Sequence, residues 1–176
     1  MAVLATRLIA SQLNAVNRHL HDVAGEVEPE DWLRRAVPGT SLPAFTLWHV
    51  ARVIDSTVNM GLRGVPEVIE SQPWASKRWA RAEAGVGYSE TDADRLAAGV
   101  VPDEILEYAD AVRSQVSQWL KTITEEELDS PNALLEHAIA NRLTTVQPYM
   151  RPWPRSWASP CGWSCASPAT PTAGPT

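Results

Sequence analysis

Cysteine is scarce in this 176-residue chain, and the two present, Cys161 and Cys165, both lie near the C-terminus. Two cysteines cannot build a disulfide framework. No apolar run approaches the roughly 18 residues needed to span a membrane. The N-terminal Met-Ala-Val-Leu-Ala-Thr-Arg lacks the layout of a signal peptide. The expectation is a cytoplasmic protein. Basic runs are missing too, and the formal net charge is -6, which argues against nucleic acid and anionic membrane as partners. The chain has no Gly-x-Ser-x-Gly, phosphate loop, dinucleotide fingerprint or His-Glu-x-x-His. Asp92 and Asp94 lack the later glutamate of a calcium loop. Glu28/Glu30 and Glu125–Glu127 read as solvated helix starts.

What is there is helical periodicity. A stretch over Leu42–Gly64 carries two apolar lines, Phe45/Val53/Met60 and Leu47/Ala51/Ile54/Val58, so it is buried on more than one side. Ser41 is the expected N-cap, Pro43 fits the first turn and Gly64 closes the far end. His49 lies between Phe45 and Val53 on the first line. A buried imidazole needs a partner, since an unpaired one costs about 1–3 kcal/mol. It is either a core histidine bonded to a neighbour, or a ligand or acid/base group. Asp55 is six residues further on, off the His49 face, and reads as a solvated or capping carboxylate.

A first helix is expected over residues 3–24 on the stripe Ile9, Leu13, Val16, Leu20 and Val23, with Gly25 ending it. His19 and His21 flank that stripe and point apart, which excludes a shared metal. Glu28–Leu33 fits one short turn, and Pro38–Ser41 a turn into the central helix. Residues 65–101 form a long crossover with Trp74, Trp79 and a short helix capped by Ser89 or Thr91. It either walls a pocket or lids the core edges. A third helix spans 103–123 on Ile105, Ala109, Val112, Val116, Trp119 and Ile123. Thr124–Glu127 has capping-box spacing. A short fourth helix is expected over 131–147.

Periodicity stops near Pro148. Residues 148–176 hold 7 of the 14 prolines and 3 of the 8 tryptophans, and the last 26 residues contain two arginines and no acid. Two readings fit: a genuine disordered tail, or a GC-rich gene read out of frame. The expected organisation is a helical unit over 1–147 followed by an irregular tail over 148–176.

Glu30-Asp31-Trp32-Leu33, Pro38-Gly39-Thr40-Ser41 and Leu47-Trp48-His49-Val50-Ala51-Arg52-Val53-Ile54-Asp55 together resemble the start of a DinB-like domain. Further matches run through Leu62–Glu67, Trp74, Gly85-Val86-Gly87 and Glu107–Arg113. That superfamily includes metal-binding domains of thiol-dependent transferases and maleylpyruvate isomerases. The resemblance implies an all-α, up-down-up-down four-helix bundle with a long crossover between helices 2 and 3. It also implies a divalent metal, zinc or nickel, held by one histidine of the second helix and a His-x-x-x-His pair of the fourth. The first of these would be His49. The pair is missing: His137 is the one histidine after His49, and its i+4 residue is Asn141. Cys161 and Cys165 share the four-residue spacing without a helix to set their geometry. Catalytic sites use about three protein ligands, so the site reads as incomplete, with His49 and then His137 as candidate ligands. An active relative would use a low-molecular-weight thiol such as mycothiol or bacillithiol for transfer or isomerisation. The alternatives are a non-catalytic bundle that binds a partner or forms a homodimer, and a truncated product without a function of its own.

Overall fold

The computed structural model describes residues 4–81, 84–124 and 126–127. Among them the chain is all-helical, with four α-helices and no strand: α1 Leu4–Glu26, α2 Pro43–Asp55, α3 Glu90–Ala97 and α4 Pro102–Leu120. The three long helices are the first three expected bundle helices, and α3 is the short helix of the crossover. The expected fourth helix, His137, and the tail with Cys161 and Cys165 lie outside the described residues. No helix among the described residues is long and apolar enough to cross a membrane.

Helix α4 is the common partner, packing against both α1 and α2. Ile105, Ala109, Val112 and Val116 recur at steps of three and four, and all four are buried. Fully burying one such branched side chain stabilises the fold by about 1.5–3 kcal/mol. Tyr108, outside that expected stripe, is also wholly buried. On α1 the expected stripe divides. Leu13 and Leu20 pack on the core, whereas Ile9, Val16 and Val23 are 45%, 40% and 43% exposed. The seam with α4 is partly polar instead: Asn17 donates to Asp110 at 2.7 Å and Arg113 to Asn14 at 3.3 Å. His21 sits at this boundary, 3.3 Å from Asp110, and His19 is exposed. Gly25 does not break α1, which runs to Glu26.

The start of α2 differs from expectation. Leu42, not Ser41, is the N-cap, and no side chain caps the helix. The turn over Pro29–Asp31 brings the Trp32 carbonyl within reach of the Ala44 N–H at 3.2 Å. A backbone carbonyl thus satisfies a donor that a serine hydroxyl would have taken. Helix α2 continues as a π-helical segment, Ser56–Arg63, closed by Gly64 in the left-handed conformation. The crossover is built into the core. Val68, Ile69, Trp74 and Trp79 are buried, and Trp74 and Trp79 both lean on the Tyr108 ring, with centroids 5.7 and 5.5 Å away. Of the two possible caps for α3, Ser89 is used, accepting from the Asp92 N–H at 3.2 Å. The Thr124–Glu127 capping box forms, with reciprocal bonds of 2.7 and 3.2 Å.

Candidate metal-facing site and the polar network behind it

His49 projects from the middle of α2 toward the turn that begins at Ala84. Its ring stacks on Phe45, one helical turn earlier, with centroids 5.5 Å apart and planes 11° from parallel. Nδ1 lies 2.6 Å from the Ala84 carbonyl oxygen. A carbonyl only accepts, so Nδ1 carries the proton and the neutral ring has its lone pair on Nε2. That is the arrangement of a metal-binding imidazole, whose other nitrogen is fixed by a backbone carbonyl. The chain can come this close because residue 85 is glycine: Gly85 has φ +81°, and a Cβ there would lie 2.7 Å from Trp48 and 3.2 Å from His49 Nδ1. His49 is half-buried, and no described residue bonds its Nε2.

The rest of a metal shell is not found among the described residues, which contain no group of three His, Cys, Asp or Glu side chains able to hold an ion. Asp55 does not join His49, as the six-residue separation predicts. It is not solvated either, being completely buried. It caps the short 3₁₀ turn Val68–Glu70 from a distance, accepting the Val68 and Ile69 N–H groups at 3.0 and 3.1 Å. Asn59 donates to it at 2.6 Å, and the Tyr108 hydroxyl donates to its other oxygen. Arg52 donates to Glu67 at 2.8 Å and to the Tyr108 oxygen at 3.1 Å. Arg52, Asp55, Asn59 and Glu67 are each at most 8% exposed.

Sequence reading missed this network, although a signal was present. Arg52, Asp55 and Asn59 follow one another at steps of three and four along a helix with two apolar lines. Polar residues in that spacing on a buried helix require mutual partners. Their chemistry is that of a clamp: it ties the crossover to α2 and α4 and presents no open position to solvent. Burial raises the Glu67 carboxyl above its usual range against the pull of Arg52. Burial would lower the Arg52 guanidinium, but Tyr108 and Glu67 outweigh it and hold the group above its ordinary value.

Burial, and then the Asp55 carboxylate, push the Tyr108 hydroxyl well above its ordinary value of 10.0, against Arg52. In the unfolded chain this tyrosine ionises near pH 10, whereas in the folded chain it stays protonated. Its contribution to stability is therefore complete below about pH 10 and is lost as pH rises beyond it. Urea midpoints measured from about pH 9 to about pH 11 should fall, and Tyr108→Phe should flatten that decline. An equally steep decline in the phenylalanine variant would remove Tyr108 as its source.

No significant match is found among curated proteins or among solved structures. The sequence profile of the DinB superfamily, in contrast, matches residues 12–147. The match takes in α1 from residue 12 onward, the His49 turn, the clamp and α4, and so covers most of the chain. A helical bundle with an imidazole fixed at this place on its second helix, matched over that length, makes the chain a member of the DinB superfamily.

Proposed function

We propose that this chain is a divalent-metal-binding protein related to the thiol-dependent transferases and isomerases, with an incomplete metal site. The observation that carries this reading is the Nδ1 bond of His49 to the Ala84 carbonyl, 2.6 Å long, which leaves Nε2 as a nitrogen donor that no described residue occupies. Zinc and nickel both accept imidazole nitrogen. When bound, such an ion lowers the pKa of a coordinated thiol or water. His49 supplies one ligand, and His137, outside the described residues, is the second candidate. Two protein nitrogens hold a metal less tightly than the three or four of complete sites. The reading therefore expects weak zinc and nickel binding, and a low-molecular-weight thiol as the small-molecule partner.

The test is a titration of the untagged chain with zinc and with nickel. Saturable binding should weaken about tenfold or more in His49→Ala. An unchanged affinity in that variant would show that the imidazole is not a ligand. His137→Ala, run beside it, separates a one-histidine from a two-histidine site. A second reading is a non-catalytic bundle that self-associates, favoured by the half-exposed Ile9, Val16 and Val23 at seven-residue spacing on α1. It predicts no metal binding and a concentration-dependent dimer in sedimentation, dispersed by Val16→Lys.

A further inference from the structure

A hollow of about 360 Å³ opens between the turn at Arg78–Arg81, Tyr88 and α3. It lies close to the His49 turn: the Tyr88 ring is 6.3 Å from Phe45, the ring that stacks on His49. Its volume is within the roughly 300–1,000 Å³ range of small-molecule sites. Trp79, Tyr88 and Leu96 give it an apolar wall, and Arg78, Arg95 and Asp92 a charged one. The Trp79 indole is held in place, 2% exposed, with Nε1 donating to Glu104 at 3.2 Å. Lys77, two residues earlier, donates to the same carboxylate at 2.6 Å.

The charges do not balance. Arg95 is paired with Asp92 at 3.0 Å. Arg78 has no hydrogen bond or ion pair with any described residue. Its side chain is nevertheless placed, because the stem passes over Gly99, where a Cβ would meet Cδ at 3.6 Å and Nε at 3.9 Å. Among the described residues, the hollow therefore carries one uncompensated positive charge, in a chain whose net charge is -6. A guanidinium fork matches the two oxygens of a carboxylate. The half-buried Tyr88 ring, with the buried Trp79 behind the wall, matches an unsaturated or aromatic body.

We propose that this hollow binds a small aromatic carboxylate, with Arg78 taking the carboxylate and Trp79, Tyr88 and Leu96 taking the ring. Asp92 limits the affinity by neutralising Arg95. The site uses none of the metal-facing residues, so it stands or falls apart from the metal reading.

The probes are phenylacetate, its neutral amide phenylacetamide, and inorganic phosphate. Each is titrated calorimetrically into the full chain in the presence of a chelator. Phenylacetate should bind saturably in the millimolar range or better, with the amide and phosphate at least tenfold weaker. Arg78→Gln should weaken phenylacetate about tenfold or more. Asp92→Asn keeps one oxygen, for Arg95, and an amide that can donate to the Ser89 hydroxyl, but removes the charge, and should tighten binding several-fold. His49→Ala should leave it within twofold. No saturable binding of phenylacetate overturns the site. Equal binding of the amide overturns the role of charge, and equal binding of phosphate that of the apolar wall. An unaltered affinity in Arg78→Gln, with its circular dichroism unchanged, removes Arg78 from the site.

Discussion

Replacing Asp55 with alanine is expected to lower the unfolding free energy by about 3–5 kcal/mol, the loss typical of breaking a buried charged pair from one side. The carboxylate accepts from the Val68 and Ile69 N–H groups, from Asn59 and from Tyr108. Alanine leaves these four donors buried and unmatched, and an unsatisfied buried donor costs about 1–3 kcal/mol. It also leaves the Arg52 charge facing Glu67 alone. No apolar replacement repairs this, because two of the donors are backbone. A typical domain has only about 5–15 kcal/mol in total, so one substitution removes a large share. Asp55→Asn keeps the shape and one acceptor oxygen, and should fall between wild type and alanine. Urea unfolding followed by far-UV circular dichroism measures both. A loss below about 1 kcal/mol for alanine would mean that the clamp does not hold the crossover in place.

The same network marks the limit of what the sequence makes legible. Periodicity is enough for the long helices, since Ile105, Ala109, Val112 and Val116 announce their own burial through spacing alone. Local chemistry narrows the α3 cap to Ser89 or Thr91, and it is enough for the Thr124–Glu127 box, whose partners lie three residues apart. His49 is legible as a polar residue on an apolar line, and the structure adds its partner, a carbonyl 35 residues away. Asp55 is harder. Its partners lie 4, 13, 14 and 53 positions along the chain, and only the fold decides that they meet. The α1 stripe fails for a related reason. Leu13 and Leu20 differ from Ile9, Val16 and Val23 in which neighbour they face, and a hydrophobic pattern does not identify the neighbour. Tyr108 escapes notice because its ring suits a core while its hydroxyl suits a surface. The buried carboxylate on α2 reconciles the two.

Gly85→Ala should separate the scaffold from the imidazole it positions. Residue 85 has φ +81°, which for an L-residue with a Cβ costs about 1–2 kcal/mol. The new methyl would also lie 2.7 Å from Trp48 Cζ3 and 3.2 Å from both His49 Nδ1 and Phe45 Cζ. Trp48 is completely buried and has no room to retreat, so overpacking adds about 1–3 kcal/mol. The expected total loss is about 2–5 kcal/mol. Gly87→Ala is the matched control. Its φ is +77°, but nothing lies within 4 Å of a Cβ there, so it should show the conformational part alone, about 1–2 kcal/mol. The difference between the two variants is the contact with the Trp48–His49 face. Relief of that contact displaces the turn and the Ala84 carbonyl with it, and frees the ring to take either tautomer. Under the metal reading, zinc affinity in Gly85→Ala should then fall even where the bundle is still folded, while Gly87→Ala retains it. Equal losses of stability in the two alanine variants would show that the turn is not seated against the imidazole.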